Sequence, residues 1–177
     1  MSRRVVVTGI GLVSPLGIGA AANWEALMAG RSGVGRITKF ECKGFAAQIA
    51  GEVKGFDPLQ YVEKKDIKKM DLFIQYAVGA SQMALEDSGF KFTEDTADQV
   101  GVYIGSGIGG LPAIEHHHKI LLEKGPSRVT PFFIPMTIIN MASGHVSIRT
   151  GARGPNSCAV TACATGNHCI GDAFRII

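Results

Sequence analysis

Residues 154–168 carry the stretch that decides the fold: Gly-Pro-Asn-Ser-Cys-Ala-Val-Thr-Ala-Cys-Ala-Thr-Gly-Asn-His. The pattern predicts a short extended segment that turns into a helix, with Cys163 at the turn. A thiol at that position lies at the positive end of a helix dipole, which favours the thiolate over the thiol and makes the sulfur nucleophilic. We therefore expect a nucleophilic cysteine where the chain changes from extended to helical.

Small residues flank Cys163, since Thr-Ala precedes it and Ala-Thr-Gly follows it. They leave room for a substrate carbonyl near the helix N-terminus, where the backbone N–H of Cys163 could serve as an oxyanion donor. The alternative is a small buried apolar residue, because free cysteine is among the most buried residue types. Cys158 in the extended segment and Cys169 further along the helix lack this geometry and are expected to serve packing.

Composition and charge narrow the class of protein. The chain has 177 residues, 46% of them hydrophobic and 19% charged, which is typical of one globular domain. A formal net charge of +3 is too small to indicate nucleic-acid binding. No apolar run reaches the ~18 to 20 residues of a membrane span, so no membrane association is expected. Four cysteines in a chain of this length do not form a disulfide framework, and we expect a cytoplasmic location.

The alternation of β-branched runs and helical periodicity predicts an α/β fold, a mixed sheet with helices on its faces. The strand candidates are residues 4–8, 45–53, 99–105 and 156–161. The predicted helices cover residues 23–29, 66–88, 112–123 and 136–149, and a further one follows Cys163. Gly89 is expected to cap the second of these helices, and residues 131–135 are expected to form an apolar loop.

The glycine cluster at residues 105–110 has a spacing that also occurs in nucleotide-binding turns. Its spacing, Gly-x-Gly-x-x-Gly between a strand and a helix, formally matches a dinucleotide-binding fingerprint. The match alone is weak, because the turn after the first predicted strand does not carry the pattern.

Three consecutive histidines, His116 to His118, suggest a metal site at first sight. Consecutive helical residues point about 100° apart, so the three side chains cannot face one ion. With the cysteines and His168 they give no recognised ligand spacing. A solvated helix face is the better interpretation, and no metal is expected.

Four motifs in register resemble one family: residues 5–9 (Val-Val-Val-Thr-Gly), 105–110 (Gly-Ser-Gly-Ile-Gly-Gly), 131–135 (Pro-Phe-Phe-Ile-Pro) and 160–166 (Val-Thr-Ala-Cys-Ala-Thr-Gly). Together they are similar to the amino-terminal part of bacterial β-ketoacyl-[acyl-carrier-protein] synthases of the type II elongating class. The resemblance implies an incomplete thiolase-like fold, its amino-terminal half. Residues 1–177 would then be one synthase region that ends inside or just after the nucleophile helix.

The resemblance implies an acyltransferase of fatty-acid biosynthesis. Cys163 would accept an acyl chain from the phosphopantetheine of acyl carrier protein and pass it to a carbanion formed by decarboxylation of malonyl-carrier protein. Ile108 matches the position that gates the acyl pocket, and Phe133 and Ile134 match pocket-wall positions. Without the resemblance, these three apolar residues would be assigned to ordinary core. No cofactor of the protein's own is implied, because the carrier protein brings the phosphopantetheine.

One departure from the family limits this interpretation. The family uses two histidines, a lysine and a second oxyanion N–H from a carboxyl-terminal half. The five histidines of this chain, at 116, 117, 118, 145 and 168, match none of those motifs. The chain alone is therefore expected to be inactive in condensation. Two alternatives remain: a non-catalytic half-fold that only binds a partner, and a thiolase-fold enzyme using coenzyme A thioesters. The phenylalanine loop and the glycine turn favour the synthase over the thiolase.

The family also implies two protein partners. Lys64, Lys65, Lys68 and Lys69 are predicted to share one helix face, and with Arg128 they match the basic surface that docks the acidic carrier protein. The alternative is a solvated face whose charge is offset by neighbouring acidic residues. The predicted strand 156–161 matches the strand that pairs across a two-fold axis, which implies a homodimer.

Overall fold

The computed structural model describes residues 3–177 and contains six short strands and eight α-helices. The strands are β1 Val13–Ser14, β2 Gly17–Ile18, β3 Val34–Arg36, β4 Ile49–Gly51, β5 Val102–Tyr103 and β6 Asn156–Ser157. The helices are α1 Ala20–Met28, α2 Lys64–Ile67, α3 Leu72–Ser88, α4 Glu94–Ala97, α5 Leu111–Lys124, α6 Phe133–Thr137, α7 Met141–Thr150 and α8 Thr165–Ile176. Three 3₁₀ turns cover Pro58–Gln60, Pro126–Arg128 and Ala162–Ala164. No helix in this part of the chain is long and apolar enough to cross a bilayer.

The strands form three separate pairs. β1 with β2 and β3 with β4 are antiparallel hairpins, whereas β5 and β6 run parallel. Val102 lies opposite Asn156, and Tyr103 opposite Ser157. Three predicted strands are thus present, each shortened to two or three residues: 45–53, 99–105 and 156–161. The parallel pair matters for function, because the chain leaves β5 into the glycine turn and β6 into the turn that carries Cys163.

Residues 4–8, predicted as a strand, are not a strand. No neighbouring segment within residues 3–177 provides a hydrogen-bonded ladder for them, and a strand cannot form without one. The following glycines lie directly on α3 instead. A Cβ at Gly9 would be 2.2 Å from the carbonyl oxygen of Ala84, and one at Gly11 would be 1.8 Å from that of Ala80. The glycines are required there by this close approach of two backbones.

The predicted helix 66–88 is two helices, because Asp71 starts a new one. Its side chain accepts a hydrogen bond from the N–H of Phe73, which caps α3. The other carboxylate oxygen accepts from the N–H of Ala113, 2.9 Å away in the first turn of α5. At the other end, Gly89 adopts the left-handed conformation, with φ of 66°, and confirms the predicted C-cap.

The core lies between α3, α7 and β5. Met70, Ile74 and Val78, three of the apolar positions that predicted the long helix, are buried there with Val102 and Val146. The helical periodicity of the sequence therefore identified the main core contributor correctly.

The segment from residue 131 to residue 149 differs from its prediction. Residues 131–135, expected as a loop, lead into helix α6, and α7 begins only at Met141. Pro135 is compatible with α6 because it lies in the first turn, where a backbone N–H has no partner within the helix. Ile138 is extended and separates the two helices.

Candidate active site

Cys163 lies in the 3₁₀ turn Ala162–Ala164, immediately before the first residue of α8. Its side chain is exposed, whereas Cys42 and Cys169 are buried and Cys158 is half-buried. All four thiols are free. The structure thus places Cys163 where the sequence predicted, at the change from extended to helical backbone, and the packing of Cys169 agrees with its predicted role.

The turn before the cysteine is strained. Ala162 has φ of 49°, and it is the one residue other than glycine with positive φ in residues 3–177. An alanine in this region costs roughly 1–2 kcal/mol, because its Cβ approaches the following carbonyl. Such strain persists only where the surroundings enforce it, and it is concentrated at functional sites.

Thr165 holds the strained turn closed. The N–H of Thr161 donates to the hydroxyl oxygen of Thr165 at 2.9 Å, and the same hydroxyl donates to the carbonyl oxygen of Ala162 at 2.8 Å. The N–H of Ala164 donates to the carbonyl of Thr161 at 3.0 Å. These bonds fix the backbone on both sides of Cys163.

The backbone N–H of Cys163 has no acceptor within the described residues. It lies beside the exposed thiol and next to the N-terminus of a twelve-residue helix. Free N–H groups at a helix N-terminus favour negative charge. The N–H is therefore available to an oxyanion that forms on a carbonyl attacked by the thiol.

The glycine turn that follows β5 packs against this cysteine turn. A Cβ at Gly105 would lie 2.3 Å from the carbonyl oxygen of Ala159, 2.4 Å from Cγ2 of Thr165 and 2.9 Å from Sγ of Cys169. Gly109 and Gly110 lie against the end of α6 in the same way. A Cβ at Gly109 would be 2.5 Å from the carbonyl oxygen of Thr137, and one at Gly110 would be 2.3 Å from that of Met136. These glycines accommodate neighbouring backbone of the same chain, which accounts for their presence without a bound phosphate.

A chain of polar side chains, which the sequence did not predict, leads away from the cysteine turn. The hydroxyl of Thr161 lies 3.3 Å from Nδ1 of His168, and Nε2 of that ring lies 3.0 Å from Oδ2 of Asp172. The phenol of Tyr103 donates to the same carboxylate oxygen at 2.9 Å. A hydrogen bond with Ser157 lowers the pKa of Tyr103, but the bond to Asp172, burial and the carboxylate charge outweigh it and raise the pKa. The i, i+4 spacing of His168 and Asp172 was the available sequence signal.

The three residues assigned to an acyl pocket are not ordinary core. Ile108 is 65% exposed and Ile134 57% exposed, while Phe133 is half-buried. Five surface cavities between residues 8 and 177 are lined by other side chains, and none of them brings Ile108, Phe133 or Ile134 together with Cys163.

The prediction of a solvated face for the three histidines is wrong for His117. Its side chain is buried, and the ring packs against Phe133 with centroids 5.2 Å apart. Burial, and secondarily the neighbouring His116, lower the pKa of His117, and its Nδ1 has no hydrogen-bond partner. His116 and His118 are exposed, as predicted. Within residues 3–177 no group of His, Cys, Asp and Glu side chains could hold a metal ion.

The four lysines do not share one helix face, because α2 ends at Ile67. Lys69 lies beyond the helix, where it pairs with Asp66 at 2.9 Å and places its ammonium 5.5 Å from the ring centroid of Phe132. Lys65 pairs with Glu63 at 2.8 Å. Lys64, Lys68 and Arg128 are exposed, and Phe132 is four residues from Arg128 in sequence. The contact with Phe132 places the lysine segment beside the segment that follows Arg128, and Lys69 has a structural role there.

Comparison with known proteins places this geometry in a family. The family model described as "Beta-ketoacyl synthase, N-terminal domain" matches residues 2–177. The chain is 55% identical, over 99% of its length, to a Vibrio cholerae protein named 3-oxoacyl-[acyl-carrier-protein] synthase 2. It spans 42% of the length of that relative.

Two solved structures share the fold. One is a β-ketoacyl synthase from Burkholderia phymatum, 30% identical with a TM-score of 0.78, over 98% of this chain and 43% of that one. The other, 23% identical with a TM-score of 0.79, covers 99% of this chain and 47% of its own. It is a type II polyketide ketosynthase bound to the hexaketide, in complex with its acyl carrier protein.

Proposed function

We propose that Cys163 is an acyl-accepting nucleophile, starting from the fact that this chain belongs to the β-ketoacyl synthase family through its N-terminal domain. The α/β fold is that of a thiolase-like ketosynthase N-terminal domain. The observation that carries the proposal is the exposed thiol of Cys163 on a strained turn, beside its own unpaired N–H and before α8.

In the proposed reaction the Cys163 thiolate attacks the carbonyl carbon of an acyl thioester. The carbonyl oxygen takes the negative charge and accepts a hydrogen bond from the N–H of Cys163. The tetrahedral intermediate collapses, the phosphopantetheine thiolate leaves and takes a proton from solvent, and the acyl group remains on Cys163 as a thioester. In the whole enzyme of fatty-acid biosynthesis the acyl group then passes to the carbanion formed by decarboxylation of malonyl-carrier protein. We assign no residue of this chain to the decarboxylation.

The acyl chain would contact Ile108, Phe133 and Ile134. The exposure of both isoleucines supports this part of the proposal, because an apolar chain could cover them. The packing of Phe133 on His117 gives that ring a fixed position.

The acyl donor would be an acyl carrier protein that docks on the surface formed by Lys64, Lys65, Lys68 and Arg128. Two observations support this docking: the side chains are exposed and cationic, which would suit an acidic partner, and the polyketide ketosynthase above is in complex with its acyl carrier protein. Lys69 would contribute through its fixed position at the edge of this surface.

A homodimer through residues 156–161 is proposed on the pairing of β6. Within residues 3–177 this strand has β5 on one side and no strand on the other, so its second edge could pair with a second copy.

The test is acyl transfer to the chain, followed by intact-mass spectrometry. With an acyl carrier protein as donor, the chain should gain the mass of one acyl group. Cys163→Ala should abolish this gain, and the matched control Cys158→Ala should keep it. Retained transfer in Cys163→Ala would place the nucleophile elsewhere. Equal labelling of all four thiols by a chloroacetyl probe would leave only a non-catalytic half-fold.

A further inference from the structure

We propose that His168 is a positioning residue for the nucleophile, acting through the hydroxyl of Thr161. The inference rests on the proposed function, since it concerns how Cys163 is held ready for attack. It assigns a role to the polar chain from Thr161 through His168 and Asp172 to Tyr103.

This series of polar side chains connects the cysteine turn and α8 with β5. Thr161, two residues before Cys163, lies 3.3 Å from Nδ1 of His168 in the second turn of α8. Asp172, one turn further, lies 3.0 Å from Nε2 of the same ring. Tyr103 at the end of β5 donates to that carboxylate at 2.9 Å. The imidazole is thus contacted at both nitrogens.

The carboxylate determines which nitrogen of the ring carries the proton. A carboxylate beside Nε2 favours a proton on that nitrogen, so Nδ1 is left as an acceptor in the neutral ring. The Thr161 hydroxyl, which can donate, then has a fixed partner. Tyr103 donates to the same oxygen, Oδ2 of Asp172, and so helps to hold the carboxylate beside the ring.

Thr161 in turn fixes the strained residue next to the nucleophile. Its carbonyl accepts from Ala164 and its N–H donates to Thr165, so both of its backbone groups belong to the cysteine turn. Ala162, with φ of 49°, follows directly. If the side chain of Thr161 loses its partner, the backbone at Thr161 and Ala162 would relax from its strained conformation. The Cys163 thiol would then move away from the helix N-terminus. The thiolate would then lose the favourable field of α8.

The experiment measures the rate of alkylation of Cys163 by iodoacetamide in the full chain at fixed pH. Cys158, Cys163 and Cys169 lie between Arg153 and Arg175, so one tryptic peptide contains all three and fragment ions separate them. We compare the wild type with His168→Leu, which has no acceptor, and His168→Asn, whose amide oxygen can replace Nδ1. Thr161→Val and Thr161→Ser form the matched pair on the other side of the hydrogen bond. Urea unfolding of each variant separates loss of position from loss of fold.

We expect His168→Leu and Thr161→Val each to slow alkylation of Cys163 by about three- to tenfold, the range of one lost hydrogen bond. His168→Asn and Thr161→Ser should stay within about twofold of the wild type. The double variant Thr161→Val/His168→Leu should be no slower than either single one, because both remove the same interaction. Tyr103→Phe, which leaves the turn intact, should slow alkylation of Cys163 by about twofold. This variant provides the test if a His168 variant does not fold.

An unchanged rate in folded His168→Leu, or additive effects in the double variant, would overturn the inference. So would a His168→Asn variant as slow as His168→Leu. A different result would refute the proposed function itself: Cys163 of the wild type alkylated no faster than Cys158. The two failures are therefore distinguishable.

Discussion

Substitution of Gly105 by alanine tests whether the glycine turn must contact the cysteine turn. The new Cβ would lie 2.3 Å from the carbonyl oxygen of Ala159 and 2.4 Å from Cγ2 of Thr165. Real Cβ atoms do not approach backbone this closely, so one of the two turns must move by about 1 Å. Neither neighbour yields easily, because one is main chain and Thr165 is held by two hydrogen bonds. Overpacking of this kind costs about 1–3 kcal/mol.

A smaller effect acts in the opposite direction. Alanine restricts the unfolded chain and stabilises the fold by about 0.4–1 kcal/mol where its conformation is tolerated. The net expectation for Gly105→Ala is a loss of about 1–2 kcal/mol in the free energy of unfolding, or about 2–8 °C in Tm. Alkylation of Cys163 should slow at the same time, since Thr165 braces the cysteine turn.

Gly107→Ala is the matched control, two residues further along the same turn. The nearest atom outside the adjacent residues would be the carbonyl oxygen of Ala162, 3.7 Å from the new Cβ, which is an ordinary van der Waals contact. Stability should be unchanged or slightly higher. Urea unfolding followed by circular dichroism at 222 nm suits both variants, because the single tryptophan, Trp24, is 65% exposed and reports poorly on burial. Equal stability of the two variants would refute the packing argument.

Three further predictions concern backbone strain, pH and charge. Ala162→Val should lower the free energy of unfolding by about 1–2 kcal/mol, because a β-branched residue tolerates positive φ poorly. The free energy of unfolding of Ala162→Gly should stay near that of the wild type. Urea unfolding of both variants checks this, and an equal loss in both would contradict it. Burial lowers the pKa of His117, so the unfolded chain binds this proton first and stability falls as the pH drops below about 6.5. His117→Leu should therefore lose less stability between pH 7.5 and 5.5 than the wild type or the exposed control His118→Leu, and parallel curves for all three would argue against it. Lys64→Glu/Lys68→Glu should weaken association with an acidic carrier protein at low salt, measured by calorimetry, and the difference should shrink at high salt; equal affinity at low salt would remove this surface from the docking proposal.

The elements predicted best from the sequence are those that local chemistry specifies. The apolar periodicity across Met70, Ile74 and Val78 identified the main core helix, and Gly89 its end. The small residues around Cys163 predicted a turn from extended to helical backbone, and that turn is present. Each of these features depends on residues within a few turns of one another.

The errors arise where distant parts of the chain meet. Asp71 divides the predicted helix 66–88, and its second oxygen binds the N–H of Ala113, which is 42 residues away. His117 is buried because α6 places Phe133 against it, although its two histidine neighbours in sequence are exposed. Residues 4–8 have strand composition, but a strand forms only where another segment supplies its hydrogen bonds.

The sequence by itself determined the α/β class, the family resemblance and the position of the nucleophile candidate, because each is carried by a contiguous motif. Only the tertiary structure decided how Cys163 is held. The close approach of Gly105 to Ala159 and Thr165 and the hydrogen bond from Tyr103 to Asp172 place β5 and its glycine turn against the cysteine turn and α8. Their cause is steric and hydrogen-bonding contact between segments more than 50 residues apart, and no local pattern records which segments will meet.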